Sequence, residues 1–118
     1  MTEGLWTVMF QGPQGVSGGC VIFRGGTVLG GDSAYFYVGS YEEKNGTISA
    51  QVKIRGFVPG TATIFGTVGA DHVLDVQGTF SGDDIVGSAS VIGAADLRLS
   101  FRLIYRAGFE EKSIPAKV

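Results

Sequence analysis

Several residue types are scarce in this chain, and each scarcity excludes a class of protein. Its 118 residues contain one cysteine, one histidine and three prolines, and 17% of them are charged. A single cysteine excludes an intramolecular disulfide, and one histidine with one cysteine cannot fill a structural zinc site. No apolar run approaches the roughly 20 residues that a membrane-spanning helix needs. The net charge is −2 and no Lys/Arg cluster precedes the last third, which disfavours direct binding to nucleic acid.

Glycine, in contrast, is abundant, with 20 residues in a chain that is 44% hydrophobic. This apolar content excludes disorder, and the length predicts one domain with a single core. A Gly-X-Y repeat is absent, so the glycines indicate tight turns and bulges instead. Residues 1–4 precede patterned sequence without the basic and apolar regions of a secretory signal. We therefore expect a soluble, cytoplasmic protein.

Strand-like segments alternate with turn signals along the whole chain. The clearest lies after the turn sequence Asn45-Gly46, where Ile48 and three further apolar residues alternate with polar ones. The predicted strands cover residues 5–11, 18–24, 27–30, 35–42, 47–55, 72–80, 85–92 and 97–106. Eight strands at this spacing predict an all-β fold, either a sandwich or a barrel. The short connections favour a small antiparallel up-and-down barrel, the architecture of lipocalins and calycins. We assign residues 1–107 to this barrel and 108–118 to a loosely ordered C-terminal tail.

An eight-stranded barrel has an interior that is either packed or just wide enough for one small ligand. Alternation places one set of apolar side chains toward this interior. These candidate cavity-lining residues are Trp6, Phe10, Leu74, Val76, Leu99, Phe101 and Leu103. A packed core and a cavity for a small apolar ligand or lipid are both compatible with this pattern.

The predicted strand at residues 35–42 has bulky apolar residues on both faces. Tyrosines occupy one face, and Phe36 and Val38 occupy the other, so the pattern leaves open which face is buried. Tyrosine is enriched at protein interfaces, and the strand ends in an acidic pair. The candidate partner surface therefore consists of Tyr35, Tyr37, Tyr41, Glu42 and Glu43.

No catalytic, metal or cofactor site is predicted. His72 and Cys20 would have to be adjacent to form a nucleophilic dyad, with Asp71 as a further candidate, and the apolar residues around Cys20 predict a buried thiol instead. Residues 12–19 are rich in glycine but lack the lysine and the following helix of a phosphate-binding loop, which favours a flexible hairpin. The aspartates lack the alternating oxygen positions of a calcium loop; they are Asp71, Asp75, Asp83 and Asp84.

The segment Gly4-Leu5-Trp6 resembles the Gly-x-Trp start of the first lipocalin strand. In that superfamily the tryptophan packs at the closed end of the barrel, beneath an arginine from near the C-terminus. The resemblance implies this role for Trp6, with Arg102 or Arg106 stacked on its ring.

Three motifs together resemble the GrlR-type family of small negative regulators of type III secretion genes. They are Gly4-Leu5-Trp6-x-Val8-x-Phe10, Leu29-Gly30-Gly31-Asp32-Ser33-Ala34-Tyr35-Phe36-Tyr37-Val38-Gly39-Ser40-Tyr41, and Val58-Pro59-Gly60 with Ile64-Phe65-Gly66. The resemblance extends to about Arg106. It implies a lipocalin-like barrel that forms a homodimer and represses by capturing a transcriptional activator rather than by binding DNA. The Glu-Asp-Glu-Asp surface motif of the best-known member is absent here, so its partner-binding residues are not carried over.

Overall fold

The computed structural model describes residues 1–67 and 71–110, which form eight β-strands and no helix. The strands are β1 (Gly4–Gly12), β2 (Gly15–Arg24), β3 (Thr27–Gly31), β4 (Tyr35–Lys44), β5 (Thr47–Gly56), β6 (His72–Ser81), β7 (Asp84–Val91) and β8 (Ala94–Ala107). Each strand pairs antiparallel with the next, and β8 pairs with β1. The predicted closed up-and-down barrel is confirmed. In the described residues, no helix is long and apolar enough to cross a membrane.

Short turns let the strands follow one another around the barrel. Asn45 and Gly46 connect β4 to β5 and both have positive φ, 53° and 78°. This is the geometry of the two-residue hairpin turn that Asn-Gly predicts, and its twist matches that of the flanking strands. The connection between β5 and β6 is the long exception, and its described part comprises residues 57–67.

The register of the strands determines which side chains face the interior. Residues paired across neighbouring strands point to the same side of the sheet. Trp6 is opposite Val21, and Phe10 is opposite both Ser17 and Phe101. The inward residues of β1 and β8 therefore meet in the core, together with those of β5 and β6, as their alternation predicted.

One end of the barrel is closed by aromatic packing around Trp6, which is 2% exposed. The rings of Phe23 and Tyr105 meet the indole edge-on, at centroid distances of 6.1 and 5.5 Å. The indole N–H donates to the carbonyl oxygen of Thr2 at 2.9 Å. The surrounding chain thus buries the indole ring and provides an acceptor for its N–H group.

The expectation that Arg102 or Arg106 stacks on the ring of Trp6 is wrong. Arg102 and Arg106 have the outward parity of β8, opposite to that of Leu103 and Tyr105. Arg102 donates to Asp84 at 2.5 Å, and Nε of Arg106 donates to Oγ1 of Thr7 at 2.9 Å, both on the outside. The side chain of β8 that packs against Trp6 is Tyr105.

Two further expectations about β2 are wrong. The glycine-rich segment predicted as a flexible loop is mostly strand, since β2 begins at Gly15 and only Pro13 and Gln14 separate it from β1. Cys20 is exposed, not buried. Because Val21 shares the inward side with its partner Trp6, the neighbouring Cys20 must point outward.

The C-terminal tail was predicted to begin at residue 108. Gly108–Glu110 follow β8 as a turn, and the guanidinium carbon of Arg24 lies 4.6 Å from the centre of the Phe109 ring. The rest of the predicted tail, residues 111–118, lies outside the described residues.

Candidate functional site

The barrel encloses a cavity of about 130 Å³ along its axis. Inward side chains from all eight strands form its wall, and nearly all of them are aliphatic or aromatic. The wall extends from Phe23 and Leu103, near the closed end, to Ile64 and Phe65 in the loop that covers the other end. The interior of the barrel is therefore not fully packed.

The structure places six of the seven candidate cavity residues on this wall. They are Phe10, Leu74, Val76, Leu99, Phe101 and Leu103. The seventh, Trp6, lies outside the wall and belongs to the packed cluster at the closed end. Small residues leave the space between the larger side chains, since Ala50, Gly78 and Ala89 also line the cavity.

The tyrosines of β4 do not form a partner surface, which corrects the assignment from the sequence. Tyr35 is buried, Tyr37 is half-buried, and both line the cavity. Tyr41 packs its ring edge-on against Phe23, with centroids 5.0 Å apart. The outward face of β4 instead carries Phe36 and Val38. Glu42 and Glu43, from the same candidate set, are exposed, and Glu43 pairs with the amino group of Met1.

Asp32 organises the start of β4 and explains this orientation. Its Oδ1 accepts hydrogen bonds from the backbone N–H groups of Ala34 and Tyr35, at 2.9 and 2.8 Å. Its Oδ2 accepts a hydrogen bond from the hydroxyl of Tyr37. The carboxylate thus fixes both the turn after β3 and the inward direction of the Tyr37 ring.

Glycines make room for the Tyr37 ring on the inner wall. Gly30 is the partner of Tyr37 in the β3–β4 register, and the Tyr37 hydroxyl lies 3.1 Å from the position that a Cβ of Gly19 would occupy. An aromatic ring lying over glycines covers backbone that would otherwise be unpacked. Burial, the hydrogen bond to Asp32 and the charge of Asp32 raise the pKa of Tyr37 above its ordinary value, so the hydroxyl stays protonated.

Residues 57–67, named here the cap loop, cover the end of the barrel opposite Trp6. The carbonyl oxygen of Thr61 accepts a hydrogen bond from the Tyr35 hydroxyl, and that of Ile64 accepts from the backbone N–H of Gln14 at 3.0 Å. Thr67 joins the loop to β6 through a 2.8 Å hydrogen bond with Nε2 of His72. The cap loop is therefore attached to three separate parts of the barrel.

The residues considered for catalysis do not come together. Cys20 is on β2 and His72 on β6, and in the closed barrel three strands lie between these two in either direction. Cys20 points outward, and Asp71 lies near Arg55 on the exposed surface, with 3.9 Å between the charged atoms. Within residues 1–67 and 71–110, no three His, Cys, Asp or Glu side chains are grouped as metal ligands.

The outer wall of β2, β3 and β4 carries a continuous set of exposed apolar side chains, named here the apolar outer face. Ile22 is opposite Leu29, and Leu29 is opposite Val38, so these residues form one row across three strands. Phe36 lies beside the row on β4. Their exposed fractions are 39% for Ile22, 49% for Leu29, 39% for Phe36 and 45% for Val38. Lys53 is the next residue of the row, on β5, and provides a charged border.

Sequence reasoning missed this face because it left open which side of β4 is buried and named the tyrosines, not Phe36 and Val38, as the candidate partner surface. A signal was present in the pattern of β4. Phe36 and Val38 share their parity with Ser40 and Glu42, and a polar pair at the end of a strand indicates the solvent side. The opposite parity contains the tyrosines and Gly39 and reaches a charged residue only at Glu43, the last of its positions in β4, which favours the inner side.

Fold and site together define a class: a closed eight-stranded antiparallel barrel with an internal apolar cavity and an apolar patch on its outer wall. No protein-family model matches the chain, and the curated proteins contain no significant match to it. The resemblance to the GrlR-type family therefore rests on the three motifs quoted above.

Proposed function

We propose that this protein is a non-catalytic regulator that acts by binding other proteins, first a second copy of itself and then a transcriptional activator. The observation that carries the proposal is the apolar outer face. Exposed apolar residues that are scattered singly need no explanation, but a contiguous set across three strands indicates a binding surface. The motif resemblance to GrlR-type repressors supports a homodimer and activator capture as its purpose.

The physical basis is the burial of apolar area on association. Each Å² of apolar surface removed from water contributes about 25 cal/mol. Leu29 and Val38 lie at the centre of the face and have the largest exposed fractions in it. Lys53 and Arg55, on the exposed side of β5, supply the polar rim that usually surrounds an apolar interface centre.

The homodimer is tested by sedimentation velocity over a range of protein concentrations. We expect a dimer for the wild type and a monomer for Leu29→Lys, because a lysine at the centre of the interface loses its hydration. Thr79→Lys is the matched control, since Thr79 is exposed on β6, away from the apolar outer face. A wild type that stays monomeric at high concentration would contradict the proposal.

Activator capture is tested with a DNA-binding activator that the barrel retains from an extract of its host, together with that activator's promoter DNA. In a gel-shift assay, we expect the barrel to remove the activator from the DNA and to leave the free DNA unshifted. The acidic character of the chain suits a basic DNA-binding domain as partner. A shift of the DNA by the barrel alone, or an activator–DNA complex that resists excess barrel, would refute this function.

A second candidate function is the carriage of a small apolar ligand, and the internal cavity is the observation that favours it. Its wall is almost entirely apolar and lies between the packed cluster around Trp6 and the cap loop. Native mass spectrometry of protein from several expression conditions is the direct test. We expect a co-purifying apolar mass or saturable binding of added benzene, and ligand-free protein that takes up neither would exclude carriage.

A further inference from the structure

We infer that the cavity selects uncharged, hydrocarbon-like molecules of about the size of one aromatic ring and rejects amphiphiles such as fatty acids. This inference rests on the second function proposed above, and it specifies the chemical class of the ligand. It is carried by three properties of the wall: its volume, the pairing of its polar groups and the position of its one charged residue.

The volume sets the size of the ligand. The cavity measures about 130 Å³. An apolar cavity of about 150 Å³ lined by similar side chains is large enough to take up benzene. A long acyl chain needs several times this space, so most of its tail would have to displace the side chains of the wall or stay outside the cavity.

The polar groups of the wall are already bonded within the protein. The hydroxyl of Tyr35 donates to Thr61, that of Tyr37 donates to Asp32, and that of Thr63 is 2.7 Å from the hydroxyl of Thr67. Among the described residues, no buried side-chain nitrogen or oxygen lacks a partner. A polar group on the ligand would therefore enter without a partner, and a buried unpaired group typically costs about 1–3 kcal/mol.

The negative charge of Asp32 also disfavours the binding of acidic ligands. Among the described residues that line the cavity, Asp32 is the only charged one, and it lies at the end covered by the cap loop. A carboxylate head placed there would face a like charge. An amine would be attracted by Asp32, but it would have to replace the hydrogen bond from Tyr37 or compete with the two backbone donors.

The test compares molecules that share a ring and differ in one group: toluene, phenol, benzylamine and benzoate, with hexanoate as the acyl probe. Binding is measured by ligand-observed NMR and by the shift in thermal unfolding temperature. We expect saturable binding of toluene, and binding at least tenfold weaker for each polar molecule. Benzylamine, benzoate or hexanoate binding as tightly as toluene would overturn the inference and leave ligand carriage intact. If none of the five binds, carriage itself fails together with the inference.

A filled cavity provides the site control. Ala50 lines the cavity, and Ala50→Leu places three additional carbons in it, whereas the neighbouring Ser49 points outward. We expect Ala50→Leu to lose toluene binding and Ser49→Leu to keep it. Should Ala50→Leu fail to fold, nuclear Overhauser contacts from toluene to the methyl groups of Val52 and Leu74 replace it. Contacts to surface methyl groups alone would overturn the site.

Discussion

Replacement of Asp32 by alanine removes the acceptor at the start of β4. The carboxylate accepts three hydrogen bonds, two from backbone N–H groups and one from the hydroxyl of Tyr37. Ala34 and Tyr35, which provide the backbone donors, are buried residues, and Tyr37 is half-buried. The substitution therefore removes the acceptor of three donors at once. We therefore expect a large loss of stability from a residue that is not part of the apolar core.

The magnitude follows from the number and kind of bonds. A hydrogen bond to a charged group contributes roughly 1.5–3 kcal/mol, and a buried donor left without a partner costs about 1–3 kcal/mol. Since water reaches part of this turn, we expect Asp32→Ala to lower the free energy of unfolding by about 3–4 kcal/mol. Tyr37→Phe removes one donor and should cost about 1–2 kcal/mol. In the double variant the losses overlap, with a coupling energy of about 1–2 kcal/mol.

Urea unfolding followed by tryptophan fluorescence measures these energies. Trp6 is the only tryptophan and is buried at the far end of the barrel, so its emission reports global unfolding without contacting the mutated site. Asp32→Asn is the control, because its side-chain oxygen still accepts from the backbone donors, and it should retain about half of the lost stability. An Asp32→Ala variant within about 0.5 kcal/mol of the wild type, or strictly additive losses in the double variant, would refute the role assigned to Asp32.

Three further predictions concern the barrel wall. Gly30→Ala should lower the free energy of unfolding in urea by about 2–3 kcal/mol, because its Cβ would lie 2.2 Å from the carbonyl oxygen of Cys20. A variant as stable as the wild type would show that β2 and β3 can move apart to admit the methyl group. Burial and Asp32 raise the pKa of both Tyr35 and Tyr37. As the pH rises above 10, these tyrosines therefore lose their protons in the unfolded state before they do so in the folded state. The free energy of unfolding should fall above pH 10, by up to about 1.4 kcal/mol per pH unit for each tyrosine. Tyr37→Phe should flatten that slope in unfolding measured from pH 9 to 12, and an unchanged slope would contradict the assignment. Arg102→Ala should cost less than about 1 kcal/mol, since its ion pair with Asp84 is largely exposed, and a larger loss would assign that pair a structural role.

The fold was predictable because, on most strands, the apolar residues occupy only one of the two alternating faces. In β5 and β6, apolar and polar residues alternate without exception over most of the strand, so Ile48 and Leu74 could be placed inside from the sequence. The first half of β2 was not predictable. Gly15 and the residues up to Gly19 contain few side chains to alternate, and their strand conformation follows from pairing with β1.

The residues of the cavity wall were predictable wherever the alternation of a strand was clear. Which face of β4 points into the barrel was not recognised. Both of its parities begin with bulky apolar residues, so the first half of the strand does not distinguish inside from outside. The deciding contacts are long-range: Asp32 bonds Tyr37, and Gly19 on β2 leaves space for the Tyr37 hydroxyl. Within the strand itself, the polar residues Ser40 and Glu42 at its far end are the signal that indicates the outward side.

The cap loop also depends on tertiary contacts. The sequence pattern of residues 63–65 does not distinguish a helical turn from a short edge strand. The structure has a turn there, with the N–H of Gly66 donating to the carbonyl oxygen of Thr63 at 2.9 Å. Phe65 is buried because the loop folds over the barrel end. Its burial depends on the bonds to Tyr35 and Gln14, which are far away in the sequence.

The rate of alkylation of Cys20 tests the central claim most directly. Cys20 is the only cysteine, it is exposed, and it precedes Ile22 on the outward side of β2, at the border of the apolar outer face. If a second copy covers this face, the thiol reacts at its free rate in dilute protein and much more slowly at concentrations where the dimer forms. The Leu29→Lys variant should react at the fast rate throughout. A wild-type rate that is the same at every concentration would contradict the proposal that this face binds a second copy.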